Sequence, residues 1–553
     1  MSGRALRTAV VCSAAALCAL LFARASFHLQ AQAGLPRLPD GHPDLQGLWI
    51  KSAGGFQGLF IGSLDGTNFA AGGGRGGRAG GRGPVAPEYP YTPEAAAERA
   101  DRLKRGYEDP EARCHLPGVP RALDQPGGLY PVQIIQDEKS VALLHEAMHD
   151  VRIIPTDNSR HPRNYWAWDG DSRGRWDGDT LVVDVSNFNG RTWLDMQANF
   201  VDENEHVVER FTLVDHDTIQ YEATITDPTV FVRPVQMRFT LKRVPAEQQI
   251  LEYSCLEGER SLQHYRRRRR QEAEGAVRLV LAVVATAALA SAVAAQSPAA
   301  TRSFVPARLW DGKTPDFRGI WQVRDTAYLN IEGHPAEQGV AAAKSIVVDP
   351  PNGKIPYKPE ALARREEHYR SRATADPAIK CYQAGVPRAT YLATPLQILQ
   401  SPGNFAIVYQ ENHAFRVFHP DTRPHFDNTD WWMGDTRYRW DGDTLVADVV
   451  AQTDEAWLDH AGNFHSTDVH IIERYRLTAA DTLEYEARIE DPTVYTRPWA
   501  LRTVLYRVKQ PGARIVEDEC LEDADGVRHH ISPNDPRNLL KSDYSRWTQR
   551  PAR

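Results

Sequence analysis

The stretch from His145 to His149 reads HEAMH, which is the H-E-x-x-H spacing of zinc peptidases. That motif works on a helix, where both histidines project from one face and the glutamate activates metal-bound water. Here the flanking residues SVALL and DVRIIP favour a strand, a turn and a second strand. A second copy of this region has Tyr409 and Gln410 in place of His145 and Glu146. Because an amide cannot act as the base, we reject zinc proteolysis and predict no metal site.

Two copies of one domain make up the 553 residues. The stretch DTIQYEATITDPTVFVRP, from Asp217 to Pro234, returns as DTLEYEARIEDPTVYTRP, from Asp481 to Pro498, with 12 of 18 positions identical. Matching motifs lie 264 to 272 residues apart, which indicates a domain duplication and not a short-period solenoid. A composition of 42% hydrophobic and 25% charged residues is that of a globular protein.

The composition also restricts the partners. The net charge of −7 provides no basic surplus that would attract nucleic acid, so we predict no nucleic-acid partner. The sequence has no P-loop and no C-x-x-C pair, and we predict no cofactor.

Two apolar segments are typical of export signals. The first lies at residues 8–22, after a basic start and before small-x-small cleavage sites, and predicts a signal peptide over residues 1–33. The second lies at residues 276–295 and follows a run of arginines. It is either the signal of a second exported unit fused into the same chain or a transmembrane helix. We favour the fusion, because a helix would place the arginines outside, against the positive-inside tendency.

Each copy carries one early and one late cysteine. The separations are 141 residues, from Cys114 to Cys255, and 139 residues, from Cys381 to Cys520. In an exported protein this arrangement predicts one disulfide per domain, which would contribute about 4–5 kcal/mol on the chain-entropy model. Two unpaired buried thiols per domain are the alternative.

Short alternating segments dominate each copy and predict a mainly β protein. In VQMRFTLKR, from Val235 to Arg243, apolar and polar residues alternate with the period of two of a half-buried strand. Asp177-Gly178 and Asp441-Gly442 are strong hairpin signals. ILEYSC, at residues 250–255, is predicted to be the last strand of the first copy. Eight or more sequential strands with short turns favour an antiparallel barrel, because closure removes the sheet edges.

Four motifs of this chain resemble those of a family of exported bacterial proteins whose activity is uncharacterised. They are CxxxGVPR, the stretch GD[ST]RxRWDGDTLV, TWLD and DPTV[FY]. The G-x-W of Gly47-Leu48-Trp49, repeated at Gly319, is similar to the start of the first strand of lipocalin-like barrels. The resemblance implies export and two homologous lipocalin-like barrels, and it implies no activity.

The predicted organisation combines these observations. Each barrel is expected to be preceded by a short helical segment, beginning at Pro93 or Pro359. The boundaries are a signal peptide at 1–33, a first barrel domain at 34–265 with a Gly-rich flexible loop at 70–84, a connector at 266–295 and a second barrel domain at 296–553. The expected location is periplasmic or secreted, with membrane contact only through residues 8–22 and 276–295.

One glutamate in each copy lies on an apolar strand face. Val207 and Phe211 share a face with Glu209, and the second copy repeats this pattern around Glu473. If this face lines a barrel, burial raises the pKa of the carboxylate, which suits a general acid or base. Glu209 and Glu473 are therefore the catalytic candidates. The alternative is a purely structural ion pair with an arginine inside the barrel.

Other candidates are polar or aromatic residues present in both copies. His149 and His161 with Asp171 form a loose two-histidine combination that we do not predict to be a site, and His206 and His470 fall on the solvent face. The predicted ligand-binding residues are His149, His413, Trp193, Trp457, Arg233 and Arg497.

Three functions follow from this pattern. The preferred one is an exported protein that binds a small hydrophobic or aromatic molecule in a mostly apolar cavity of each barrel. The second is an isomerase, dehydratase or hydrolase that uses the inner glutamate with a histidine. The third is a non-catalytic envelope or structural module with a filled core.

Overall fold

A computed structural model describes most of both copies. The described residues are 34–52, 60–62, 68–70, 89–104, 109–111, 114–125, 130–245, 247–253, 304–336, 341–426, 429–517, 519–522 and 528–531. The chain divides into two compact units, with the boundary between Leu251 and Glu252. The segments at 8–22 and 276–295 and most of the Gly-rich segment lie outside the described residues.

The first unit contains a barrel of nine strands among its described residues. In chain order they are β1 Gly47–Lys51, β4 Val132–Gln136, β5 Ser140–His145, β6 Val151–Pro155, β7 Asp171–Asp177, β8 Thr180–Ser186, β9 His206–Asp215, β10 Thr218–Thr226 and β11 Val235–Arg243. Strand β1 pairs with both β4 and β11, so the chain returns to its start. Two short strands, β2 Phe60–Gly62 and β3 Asn68–Ala70, extend the sheet beside β11.

The second unit repeats this arrangement. Its barrel strands are β12 Gly319–Val323, β16 Leu396–Ser401, β17 Asn404–Tyr409, β18 Phe415–Pro420, β19 Asp435–Asp441, β20 Thr444–Val450, β21 His470–Ala479, β22 Thr482–Glu490 and β23 Trp499–Arg507. The short strands outside the ring are β13 Gly333–His334, β14 Ala343–Lys344, β15 Val347–Asp349, β24 Glu519–Glu522 and β25 Arg528–Ile531.

Closure of the second ring needs one exception to antiparallel pairing. Strand β12 pairs with β16 and β23, and β18 pairs with β19 in parallel. In the first barrel β6 and β7 end the path of paired strands, so the ring is nearly closed. The prediction of two mainly antiparallel barrels is therefore confirmed, with one parallel seam in the second ring.

The predicted hairpins and the G-x-W strand are also present. Asp177 pairs with Thr180 across a tight turn in which Gly178 has a φ of 58°. Trp49 is fully buried and donates a hydrogen bond of 2.8 Å to the carbonyl of Leu45. The Arg243 guanidinium lies 4.2 Å from the Trp49 ring, and Trp321 and Arg507 repeat this contact.

Two local predictions were wrong. The helices, α1 Pro93–Arg102 and α2 Pro359–Ala375, follow the first strand of each barrel and do not precede it. The described part of ILEYSC, residues 250–253, forms no strand. Its Leu251 amide donates to the side chain of Glu146 at 2.8 Å, so this backbone group is bonded away from any neighbouring strand.

The cysteine prediction remains a prediction. Cys114 and Cys381 occupy equivalent turns with a φ of 63° in each. Cys255 and the side chain of Cys520 lie outside the described residues. None of the helices in the described ranges has the length and apolar character needed to cross a membrane.

Candidate functional site

A buried ion pair occupies the interior of the first barrel. Glu209 on β9 is 0% exposed, and Arg152 on β6 donates to its two oxygens at 3.2 and 2.6 Å. The Tyr221 hydroxyl on β10 donates to Oε1 of Glu209 at 2.8 Å. Arg152 also donates to Oγ of Ser172 on β7 at 2.9 Å. Side chains from four strands are thereby joined at the centre of the barrel.

The second barrel contains the same ion pair with one more phenol. Arg416 donates to the two oxygens of Glu473 at 3.3 and 2.6 Å. Tyr475 and Tyr485 donate to Oε1 of Glu473 at 2.9 and 2.8 Å. Oγ1 of Thr436 takes the place of the serine oxygen, at 2.9 Å from Arg416.

The electrostatics of the pair favour the charged guanidinium. Burial alone would lower the pKa of Arg152, but the charge of Glu209 and its hydrogen bonds raise this pKa above its ordinary value. Burial raises the pKa of Tyr221 well above its usual range, so the phenol stays a donor. Both oxygens of Glu209 are thus engaged, and among the described residues no hydrogen bond joins it to a histidine. The catalytic role of Glu209 and Glu473 remains a prediction, and these contacts are those of the structural alternative.

Around this shared centre the interior side chains of the two barrels differ in size and polarity. Asp124, His145 and Asp169 line the first barrel where the second has Tyr391, Tyr409 and Met433. All six are buried. At the same end of the first barrel, Lys51 contacts Asp124, where the second barrel has Val323. Burial raises the pKa of Asp124 to about 6, although Lys51 acts against the shift. The first interior is therefore the more polar of the two.

Aromatic rings fill the second interior. Phe405 and Phe418 pack edge to face with ring centroids 4.9 Å apart, and Tyr475 and Tyr485 pack at the same distance. Phe418 also contacts Tyr475 at 6.4 Å. Each of these rings is at most 2% exposed, so the centre of this barrel is a packed core.

The HEAMH stretch lies on a strand and a turn, as the sequence predicts. His145 ends β5, residues Ala147–His149 form a single 3-10 turn, and β6 begins at Val151. His145 is 2% exposed, and Asp150 Oδ2 lies 3.9 Å from its Nε2. Burial and the nearby Arg152 lower the pKa of His145 to about 3, so the ring is neutral. His149 is also buried, in the turn itself, and the side chain of His413 lies outside the described residues.

Another chemical motif lies nearby. GDSRG, from Gly170 to Gly174, has the G-x-S-x-G spacing of a nucleophile elbow. An elbow places its serine on a turn between a strand and a helix, but Ser172 lies inside β7, which pairs with β8. It is 7% exposed and accepts a hydrogen bond from Arg152. The serine therefore supports the ion pair and is not presented as a nucleophile.

A chain of histidines and aspartates lies on the outer face of each barrel. In the first, His161 lies between Asp171 at 2.7 Å and Asp184 at 2.9 Å. His206 contacts the other oxygen of Asp184 at 2.9 Å. His161 belongs to the connection between β6 and β7, so these bonds fasten the connection to β7, β8 and β9 at the seam of the ring. Of the combination named in the sequence analysis, the structure brings Asp171 and His161 together. The second histidine of the cluster is His206 and not His149.

The second barrel has the same cluster, in which the charges are well defined. Hydrogen bonds to Asp435 and Asp448 raise the pKa of His425 to about 9. Burial alone would raise the pKa of Asp435, but His425 lowers it to about 2. Hydrogen bonds from His425 and His470 lower the pKa of Asp448. A positive histidine between two carboxylates is therefore the stable state at neutral pH.

The predicted tryptophans lie beneath the helices. Trp193 is 2% exposed, and the Arg102 guanidinium at the end of α1 lies 6.0 Å from its ring and 3.6 Å from that of Phe200. In the second copy, His368 of α2 stacks on Trp457 at 4.5 Å. The helices thus cover these rings.

The structure does not bring the predicted ligand-binding arginines, Arg233 and Arg497, together with the predicted tryptophans. Arg233 is half-buried between β10 and β11, and Arg497 is exposed and pairs with Asp349 at 2.8 and 3.1 Å. A cleft of about 580 Å³ lies on the second barrel beside Arg324, Tyr506 and Lys509. Its lining contains no tryptophan or phenylalanine, so it differs from the apolar cavity expected from the sequence.

The residues that sequence reasoning missed are the partners of the ones it found. Asp184 and Asp448 were not predicted as site residues, although each faces outward one strand away from a shared histidine. The structural alternative predicted an arginine partner for each buried glutamate, but the sequence did not identify Arg152 and Arg416 as those partners. The differences between copies at Asp124 and His145 are visible in the sequence, but their common location inside a barrel is not.

The fold and its centre define a class of protein, a tandem of mainly antiparallel β-barrels, each with a buried Arg–Glu–Tyr centre. No family model and no curated protein matches the chain. Among solved structures, a double mutant of transferrin binding protein B from Haemophilus parasuis Hp5 aligns with 69% of this chain at 8% identity. This chain covers 54% of that protein, and the TM-score of 0.15 is too low to assign a shared fold or function.

Proposed function

We propose that the two barrels have divided their roles, the first binding a small aromatic or hydrophobic molecule and the second serving as a filled scaffold. The observation that carries this proposal is the change from Tyr391 and Tyr409 to Asp124 and His145 at equivalent interior positions. A smaller, polar side chain at a core site loses packing and desolvates a polar group, and both effects destabilise a barrel that holds nothing. A bound molecule offsets these losses.

Aromatic chemistry suits the remaining walls of the first interior. Tyr221 packs against Phe211 at 5.0 Å and against Phe239 at 4.6 Å. Ligand sites typically combine such apolar walls with a few polar groups that orient the ligand. In the second barrel the rings pack against one another, and this self-filling supports a scaffold role there.

The acid–base alternative has less support. A general acid needs a carboxyl that can release and recover its proton. Glu209 instead forms a two-point ion pair with Arg152, and breaking such a buried pair is costly. The geometry therefore favours a binding protein over an isomerase, dehydratase or hydrolase.

Export is part of the same proposal. Its support is the signal-like segment at 8–22, the second one at 276–295 and the early and late cysteine in each copy. Mass spectrometry of the protein released from a bacterial periplasm would show a mature N-terminus near residue 34. A full-length product confined to the cytoplasm would contradict export.

The test of ligand binding uses each barrel as the control for the other. The full chain is purified from the periplasm, and molecules released by heat are identified by mass spectrometry. Asp124→Tyr with His145→Tyr introduces the residues of the second barrel and should remove the released molecule. Tyr409→His, which alters only the second barrel, should leave it in place. Retention of the molecule in the doubly substituted protein would refute the proposal.

A further inference from the structure

The polar cleft on the second barrel has the size and the position of a separate binding site. Its volume of about 580 Å³ lies within the range of about 300–1,000 Å³ that is usual for small-molecule sites. It lies where three strands run side by side, since Tyr506 of β23 pairs with Gln322 of β12 and with Thr482 of β22. Leu505, the neighbour of Tyr506, is buried in the core, so Tyr506 faces outward. The cleft therefore belongs to the outer face of the barrel and not to its filled interior.

The charged side chains of the cleft are mostly cations. They are Arg324, Arg507, Lys509 and Asp481. Two of the cations share the one carboxylate, since Lys509 Nζ lies 2.5 Å from Oδ2 of Asp481 and Arg507 Nε lies 3.7 Å from its Oδ1. Arg507 also donates to the carbonyl of Ala480 at 3.1 Å. Three positive charges less one negative charge leave the lining with a net charge of +2, which attracts an anion.

Arg324 is the cation that is available to such an anion. Its guanidinium lies 4.0 Å from the centre of the Tyr506 ring, and no ion pair or hydrogen bond joins it to another described residue. A guanidinium stacked on a ring keeps its N–H groups in a planar fork, which can donate to two oxygens of one oxyanion. The first copy has Ser52 and Lys242 at the positions of Arg324 and Tyr506 and lacks this pair.

The uncharged side chains of the cleft suit a hydroxylated molecule. Gln322 donates from its amide nitrogen to the carbonyl of Ala393 at 2.6 Å, so its amide oxygen remains an acceptor. Thr482 and Gln510 add a hydroxyl and a second amide to the lining. Hydroxyl groups can replace the water that these polar groups would otherwise bind, whereas an apolar molecule cannot.

The net charge of the lining distinguishes between oxyanions. A phosphate monoester carries a charge of about −1.5 to −2 at neutral pH and has three acceptor oxygens. A carboxylate carries a single negative charge and would leave the lining positive. We infer that the cleft binds a sugar phosphate, with Arg324 donating to the phosphate and Lys509 adding the second positive charge. This site does not depend on a ligand in the first barrel.

The experiment is titration calorimetry of the full chain with glucose 6-phosphate, glucuronate and inorganic phosphate. Glucose 6-phosphate should bind more tightly than glucuronate, which has a carboxylate in place of the phosphate group, and more tightly than inorganic phosphate, which lacks the sugar. Arg324→Ser introduces the residue of the first copy and should weaken binding of glucose 6-phosphate about tenfold, the worth of one charge-assisted hydrogen bond. Arg502→Ser is the matched control, because Arg502 is exposed on the same face of β23 and lies outside the lining. It should leave the affinity unchanged.

Each remaining outcome would overturn the inference. Failure of glucose 6-phosphate to bind, or equal affinity in the Arg324→Ser protein, would remove the site. Inorganic phosphate binding as tightly as glucose 6-phosphate would refute recognition of the sugar, and glucuronate binding as tightly would refute the preference for phosphate. Equal weakening by Arg502→Ser would show that the charge of the whole face, and not the cleft, attracts the anion. Both arginines are exposed, so an unchanged Tm in each variant would confirm that the fold is intact.

Discussion

Replacement of Glu205 by valine should stabilise the first barrel. Glu205 precedes β9 and is 3% exposed, and neither of its carboxyl oxygens has a hydrogen-bond partner among the described residues. Burial, together with Asp227 and Asp202, raises the pKa of Glu205 well above its ordinary value. The second copy has the apolar Val469 at this position, buried to 2%. The same backbone site therefore accepts a valine in this fold.

The magnitude follows from the lost hydrogen bonds. A buried polar group without a partner costs about 1–3 kcal/mol, and Glu205→Val removes this cost. In a domain of this size about 2 kcal/mol corresponds to roughly 4–8 °C in Tm. Val469→Glu is the matched control and should destabilise the second barrel by a similar amount.

The stabilisation should depend on pH in a defined direction. Because the folded pKa of Glu205 is raised, the native state retains a proton that the unfolded chain releases. The stability contributed by this group is complete below the unfolded pKa and is lost as the pH rises through the folded pKa. The advantage of valine should grow over that interval by up to about 1.4 kcal/mol per pH unit.

Hydrogen exchange measured by mass spectrometry is the assay, because its peptides report on each barrel separately. Amides of β9 and β10 should exchange more slowly in Glu205→Val, and more so at pH 8 than at pH 5. Faster exchange in the variant, or a difference that does not change with pH, would refute the reasoning about the buried carboxyl.

Three further predictions concern the second barrel. Glu473→Gln should lower the free energy of unfolding by about 3–5 kcal/mol, because it leaves Arg416 buried without its ion-pair partner. Combining it with Arg416→Met should recover much of that loss in chemical unfolding. A Glu473→Gln protein that loses no more stability than the double variant would contradict this. His425 should titrate near pH 9 by NMR. Since its folded pKa is raised, its contribution to stability is complete below about pH 6.5 and is lost as the pH rises through 9. His425→Gln should abolish that dependence, and a titration near 6.5 would contradict the pairing of His425 with Asp435 and Asp448. Peptide mapping without reduction should recover Cys381 linked to Cys520, and reduction should lower Tm, whereas free thiols at both positions would contradict the disulfide.

Much of the architecture could be predicted from the sequence, because it depends on short-range patterns. Alternation in β11 and the Asp-Gly turns specify strands and hairpins locally. The same period of two placed Glu209 on an inner face, and it is fully buried. The duplication added a control that a single domain lacks, since Tyr409 and Gln410 excluded the zinc site.

Features that depend on long-range geometry could not be predicted in this way. The partner of Glu209 is Arg152, 57 residues away, and only the closed ring brings the two together. The helix α1 lies in the long connection between β1 and its antiparallel neighbour β4, and sequence order alone does not show that these two strands pair. Strand propensity suggested a strand at residue 250, but a side chain bonds the Leu251 amide there.

The outer clusters and the inner centre have diverged differently between the copies. His161, Asp184 and His206 have exact counterparts in the second copy, whereas the residues surrounding the Arg–Glu pair do not. The clusters fasten the seam in both barrels, so the same requirement applies to each. The interior is more polar in the first barrel and more aromatic in the second, which is where a difference in function would lie.

The most direct test is a crystal structure of the full chain soaked with toluene. The account predicts electron density for one ring beside Tyr221 in the first barrel, and none among the packed rings of the second. A first barrel filled by its own side chains, or density in the second barrel instead, would contradict the division of roles.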